Sequence, residues 1–212
     1  VKAVWINYNE LSMKSEADKS ENAFRIKAEN MMKSCAEYGF NRVFVQVRPF
    51  CDAFYKSELF PASEYLSGVQ GEYIGYDALE ILCEYAHKYS LKIDAWINPY
   101  RVTNNTNLTI NDLAISNPAR QHPEWVIAHE GKLYFDPAIP EVQNLVVSGV
   151  EEIVKNYNID GIHLDDYFYP GSTFNDSGSY AKYGNGMDKN DWRRENVNTL
   201  VNNLHNKIKS IK

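Results

Sequence analysis

Four times along this 212-residue chain a strand-like run is followed by a helix-like one. This alternation limits the fold more than any other feature, because consecutive parallel strands need a crossover and the usual crossover is a helix. The strands read 2-KAVWINY-8, 42-RVFVQVRP-49, 91-LKIDAWINP-99 and 160-DGIHLDDY-167. The first helix is expected near 22–38, where Phe24, Ala28, Met31, Met32 and Cys35 recur at helical spacing before Gly39 ends it. The second starts at Asp77, with Glu80 completing a capping box and Leu79, Leu82, Cys83 and Ala86 forming its buried stripe. The third opens on Pro140 and carries Val142, Leu145, Val146, Gly149, Val150, Ile153, Val154 and Tyr157 on one face. The fourth is expected to begin near Asp191 and to bury Val197, Leu200, Val201, Leu204, Ile208 and Ile211.

The links between these elements are unequal. Helix-to-strand links are a few residues, whereas strand-to-helix links extend over 49–74, 99–139 and 167–190, far beyond the ~2–6 residues usual for such loops. All elaboration therefore lies at the C-terminal ends of the strands, the functional face of α/β barrels and open α/β sheets alike. Within the second of these long segments, 125-WVIAHEGKLYF-135 alternates about Glu130-Gly131 and reads as a hairpin.

Side-chain parity separates a barrel from a doubly wound sheet. Val4 and Ile6, Val43, Val45 and Val47, Ile93, Ala95 and Ile97, and Ile162 and Leu164 form one purely aliphatic face. The opposite face carries Trp5, Asn7, Phe44, Gln46, Arg48, Asp94, Trp96, Asn98, His163 and Asp165. A doubly wound sheet is covered by helices on both sides and should be apolar on both. One apolar face and one mixed aromatic and polar face suit a barrel whose interior opens into a ligand site.

Composition narrows the function classes. A net charge of −6 with no Lys/Arg-dense stripe argues against a nucleic-acid partner. No apolar run approaches the ~20 residues of a membrane helix, so membrane insertion is not expected. Cys35, Cys51 and Cys83 form no paired framework and read as small core hydrophobes. The length fits one domain, 1–212, and the opening on Val1 within strand-like sequence suggests a trimmed natural N-terminus.

The strings 44-FVQVRPFCDAFYKSELFPASEYLSG-68, 94-DAWINPYRV-102, 132-KLYFDP-137, 160-DGIHLDDYFYP-170 and 191-DWRRENVN-198 resemble, across essentially the whole chain, the glycosyl hydrolase-like family 10 domain, also called domain of unknown function 187. The resemblance implies a (β/α)8 TIM barrel acting on glycosidic bonds, in bacterial proteins exported to the cell envelope or beyond, with one branch associated with peptidoglycan glycan strands. A full barrel has eight units in typically ~250 residues, so this chain is expected to be the N-terminal part, about the first four βα units. The block DGIHLD also looks like the strand-4 pattern of the α-amylase superfamily, which implies a nucleophile at Asp165. Adjacent carboxylates at the end of strand 4 further resemble substrate-assisted N-acetylhexosaminidases, which implies an acetamido-orienting group and an acid at Asp165 and Asp166.

Each candidate residue has a structural reading beside the functional one. Asp165, at a strand end, is the expected nucleophile or base, against a carboxylate that caps a loop or pairs with Arg48. Asp166 is the second catalytic candidate, against a turn aspartate. His163 is a substrate contact or a core histidine bonded to Asp94. Arg48 and Arg101 grip sugar hydroxyls or brace carboxylates. Trp96, Tyr100, Tyr167 and Tyr169 offer flat faces for a sugar ring, although Trp96, like Trp5, also suits barrel filling. Asn7, Gln46, Asp94 and Asn98 complete the expected substrate-binding set. Asp136 before Pro137 reads as a turn residue. No metal or other cofactor is expected, since too few histidines cluster at strand ends. The expected activity is hydrolysis of O-glycosidic bonds in a bacterial polysaccharide, and the alternative is a carbohydrate-binding half-barrel without turnover. Either way the partner is a poly- or oligosaccharide, with self-association through open barrel edges as a further expectation.

Overall fold

The computed structural model of the chain describes residues 1–165 and 168–212. Its main sheet holds four parallel strands in the order β1 (Ala3–Ile6), β2 (Arg42–Arg48), β3 (Lys92–Ile97) and β6 (Gly161–Leu164). A separate antiparallel hairpin, β4 (Val126–His129) and β5 (Lys132–Phe135), turns on Glu130 and Gly131, both at positive φ. The crossovers are α2 (Glu21–Glu37), α4 (Ala78–Lys88) and α6 (Pro140–Asn156), and α8 (Lys189–Lys209) follows β6. Single turns or short helices punctuate the loops: α1 (Tyr8–Leu11), α3 (Glu64–Ser67), α5 (Pro118–Gln121) and α7 (Ser177–Tyr183). No described helix is long and apolar enough to cross a membrane.

Parity decides what each strand buries. Val43, Val45, Val47, Ile93, Ala95 and Ile97 are fully buried in a core shared with Phe24, Ala28 and Met32 of α2, Leu79, Leu82 and Ala86 of α4, Val142, Val146, Val150 and Ile153 of α6, and Leu200 and Leu204 of α8. The other face keeps Phe44, Trp96 and His163 half-buried and leaves Trp5 52% exposed. Trp5 and His163 lie on the two outer strands, which in a flat sheet would be separated by three strand spacings, roughly 14 Å. Yet Trp5 Nε1 donates to His163 Nε2 at 3.2 Å. The sheet is therefore curled into a trough with this face inward, although no closed barrel is found among the described residues.

Three local expectations change. Asp77 caps α4 by accepting from Glu80 N, but Glu80 does not close the expected capping box, and the second oxygen of Asp77 takes the Lys56 N–H and the Tyr157 hydroxyl. Helix α8 starts two residues early because Asp188 accepts from both Asn190 N and Asp191 N. Val201, expected in the core, is 46% exposed, since the buried stripe of α8 runs through Trp192, Leu200 and Leu204.

Candidate active site at the strand ends

The trough is built in rows set by strand register. Trp5, Phe44, Asp94 and Gly161 share the lowest row, and Gln46, Trp96 and His163 the next. From the strand start beneath this row, where it pairs with Ala3 and Lys92, Arg42 Nη1 donates to both oxygens of Asp94, at 2.7 and 2.6 Å. A side chain at position 161 would put its Cβ 2.6 Å from Asp94 Oδ1, so the glycine of 160-DGIHLDD-166 makes room for this ion pair. Asp94 is thus a floor residue whose charge is already matched, 5% exposed, rather than a group presented to substrate.

Above it lies an aromatic lining. The His163 ring sits 4.6 Å from Phe44 and edge-on to Trp96 and Trp5. Because Trp5 can only donate, His163 Nε2 is the acceptor and the ring proton is assigned to Nδ1. His163 takes Trp5, and not Asp94, as its partner. The Trp96 indole N–H is buried without a partner, which leaves a donor beneath the trough surface.

At the strand ends a ladder of side chains crosses the sheet. Tyr8 N donates to Gln46 Oε1 at 3.2 Å, Gln46 Nε2 to Asn98 Oδ1 at 2.6 Å, and Asn98 Nδ2 to the Asp165 carbonyl at 2.8 Å. Gln46 and Asn98 are 3% exposed, so these amides do not reach solvent as they stand. Their effect is to hold the main chain at Asp165 while its side chain stays exposed at the C-terminal end of β6. A fixed backbone and a solvent-facing carboxylate are what a reacting group at a barrel mouth requires.

Arg48 leaves this face. The β2–β3 register shifts between Gln46 and Arg48, so that Arg48 pairs with Ile97 of the helix side. A bulge of this kind inserts one residue and reverses the parity beyond it. The guanidinium stacks on Phe60, whose ring lies against Gly149 of α6, and burial pulls its pKa down. It neither pairs with Asp165 nor lines the trough.

The remaining candidates divide. Asn7 caps α1, accepting from Asn9 N while Glu10 returns a bond to Asn7 N. Tyr100 is 1% exposed behind Phe168, with burial raising its hydroxyl pKa. Arg101 is half-buried and bridged to Tyr134 of the hairpin. Tyr169 is half-buried, with its hydroxyl accepting from Asn196 and its ring under Arg193. Asp136 accepts from Ala138 N, as expected of a turn aspartate, and from the Ser179 hydroxyl. Asp166 and Tyr167 lie outside the described residues. No group of three or more metal-binding side chains occurs among the described residues.

Three residues that matter here carry no obvious sequence signal. Arg42 shares parity with Phe44 and Gln46 and could have been paired with Asp94 on that ground. Tyr8 contributes through its backbone. Arg193 of 191-DWRRENVN-198 donates through Nε and Nη2 to both oxygens of buried Asp176 and through Nη2 to the Phe174 carbonyl, clamping the segment after β6. Burial opposes the charge on Asp176, but Arg193 and Lys189 outweigh it and hold its pKa below the usual carboxylate range.

The family model for glycosyl hydrolase-like 10 matches residues 1–212. The chain belongs to this family. It is 44% identical over 222 residues to the Bacillus subtilis (strain 168) protein called glycosyl hydrolase YngK, covering 100% of this chain and 43% of that one. With glycosyl hydrolase DigH of Escherichia coli (strain K12) it shares 42% over 185 residues, 82% of this chain and 42% of the relative. The chain therefore spans less than half the length of these curated relatives. Among solved structures, α-L-fucosidase isoenzyme 2 from Paenibacillus thiaminolyticus matches all of this chain and 31% of its own with a TM-score of 0.63 at 17% identity, a likeness of fold. A hypothetical protein from Ruminiclostridium thermocellum matches at TM-score 0.58 and 11% identity, with 93% of this chain and 90% of that one covered.

Proposed function

We propose that the chain forms the first half of a (β/α)8 glycoside hydrolase barrel that cleaves O-glycosidic bonds in a bacterial polysaccharide, with glycan strands of peptidoglycan as the substrate class. The observation that carries this reading is the Tyr8–Gln46–Asn98 ladder, which fixes the backbone under an exposed Asp165 at the mouth of an aromatic trough. Glycoside cleavage uses one carboxyl to protonate the leaving oxygen and another to attack, orient or activate water. Asp165 takes the second role, and Asp166 or a carboxyl on a later strand takes the first. The curled sheet supports closure by further strands, and family membership supports the chemistry. An enzyme for such a polymer works at the cell envelope or outside the cell.

A second reading, a half-barrel that binds glycan without turnover, draws on one observation. Asp94, the neighbouring trough carboxylate, is committed to Arg42 and so cannot serve Asp165 as its acid. Release of reducing ends from purified glycan strands separates the two. Turnover by the wild type that Asp165→Asn abolishes, with binding kept, supports hydrolysis at this carboxylate. Binding without release supports the second reading.

A further inference from the structure

A second polar cavity lies under the same loops, away from the trough. It measures about 240 Å³ and is walled by segments following three successive strands: Lys14 after β1, Phe50, Asp52, Tyr65 and Gln70 after β2, and Thr103 with its neighbours after β3. That is less than the ~300–1,000 Å³ of sites for drug-sized ligands, and suits a single ring-sized unit. Tyr8 joins the cavity to the trough. Its hydroxyl accepts from Asn104 at the cavity rim and its ring packs edge-on against Tyr65, while its backbone N–H starts the ladder that ends at Asp165.

Asp52 is the unexplained group. It is 1% exposed in an otherwise apolar stretch, 50-FCDAF-54. Its Oδ2 accepts from Gln70 Nε2 at 3.2 Å, but its Oδ1 has no partner at hydrogen-bond geometry. Burial pushes its pKa up to about 6, with Gln70, the Ser63 hydroxyl and the Glu64 backbone N–H opposing. Gln70 cannot turn to serve Oδ1, because its Oε1 is held by Ala114 N and Asn117 Nδ2. An unpartnered buried carboxylate oxygen is costly, and a chain that keeps one gains by presenting it to something.

The rest of the lining says what that something is. Half-buried Tyr65 offers an aromatic surface for a sugar, backed by buried Phe50, whose ring stacks on it at 27°. Asn104 and Asn105, exposed at the rim, add neutral amides that both donate and accept, matched to hydroxyls. A simple cation is disfavoured, because Lys14 already occupies the rim, 2.5 Å from Glu64 Oε2 and 5.5 Å over the Tyr65 ring.

We propose that this cavity is a second sugar subsite, which holds one ring of a glycan chain, the Asp52 carboxylate turning from its buried position so that Oδ1 accepts from a hydroxyl or acetamido N–H, while a neighbouring unit of the same chain lies over Asp165. The inference rests on the glycan reading above and deepens it. The site reads a chain rather than a single sugar, and affinity grows with chain length.

Calorimetry with chitooligosaccharides of one to six units, repeated with purified peptidoglycan glycan strands, tests this on the wild type and two variants. Asp52→Asn removes the charged acceptor; Asn105→Trp, at an exposed rim position, fills the mouth without touching the core. The wild type is expected to bind longer oligomers more tightly than short ones, and each variant to remove that gain, about tenfold or more for a bond to a charged acceptor. Binding of the shortest oligomers that engage the trough stays as in the wild type. If longer chains bind more tightly and neither variant changes this, the subsite is overturned while the glycan reading stands. If no glycan of either kind binds, both fall together.

Discussion

Gly161→Ala should destabilise the protein through one contact. The new Cβ would stand 2.6 Å from Asp94 Oδ1 and 2.9 Å from its Cγ, well inside the 3.4 Å where ordinary contact begins. The clash is with a carboxylate held at both oxygens by Arg42, so relief requires moving Asp94 off its partner. Breaking a fully buried ion pair costs about 3–5 kcal/mol. Here Asp94 has 8% side-chain exposure but Arg42 has 24%, so water screens part of the loss. Alanine also recovers roughly 0.5 kcal/mol that glycine forfeits in a strand. The expected net cost is about 2 kcal/mol, read as a lower urea midpoint at unchanged slope. The deciding comparison is a double-mutant cycle. In an Asp94→Ala background the Cβ has nothing to displace, and Gly161→Ala should become nearly neutral, giving a coupling of about 2 kcal/mol. Equal costs in both backgrounds would refute the reasoning, because they would place the strain in the backbone and not in the ion pair.

Three further outcomes follow from the same structure. Asp52, with its pKa pushed up to about 6 from 3.8, keeps a proton in the folded state over a window where the unfolded chain has lost it, so stability should fall as pH rises from about 4 to about 6. The fall is of order 3 kcal/mol and should be missing from Asp52→Asn in paired urea titrations; parallel curves would sink it. Arg193→Ala should cost about 2 kcal/mol, below the ~3–5 of a fully stranded charge because buried Asp176 keeps Lys189 as a partner, and should open the 168–176 segment to limited proteolysis. Since the Asp176 pKa is lowered in the fold, the wild-type contribution is present above the ordinary carboxylate range and lost as pH falls through the lowered value. Light scattering on the isolated 212-residue chain should show self-association, because β1 and β6 end the described sheet and Trp5 is 52% exposed beside a groove lined by Val4, Ile6, Met31 and Cys35. A stable monomer would mean that those edges are satisfied otherwise.

The layers of this fold could be read from the sequence because they are written in local periods. Alternation by two placed Val43, Val45 and Val47 against the helices and Phe44 and Trp96 in the trough, and spacing by three and four marked α2, α4 and α6. Glu130-Gly131 supplied the positive φ values that the hairpin needs. What failed was non-local. Arg48 follows the parity of Gln46 in sequence, but the β2–β3 bulge depends on how two strands register, and nothing in either strand alone announces it. His163 bonds to Trp5 rather than Asp94 because the sheet curls, a property of four strands together. Asn7 went to a cap because Glu10 stands three residues on, a signal that was present but unused. The motif 191-DWRRENVN-198 acts at a distance in sequence, with Arg193 holding Asp176 and Asn196 holding Tyr169.

The position of a bound glycan decides whether the strand ends are the site of cleavage. A crystal structure of Asp165→Asn soaked with an N-acetylated tetrasaccharide measures this directly. One ring is expected over the trough beside Trp96 and His163, with its anomeric carbon or acetamido group facing the side chain of residue 165, where the Gln46–Asn98 ladder fixes the backbone. A tetrasaccharide bound elsewhere, with the trough empty, would contradict the assignment of the strand ends as the site of glycoside cleavage.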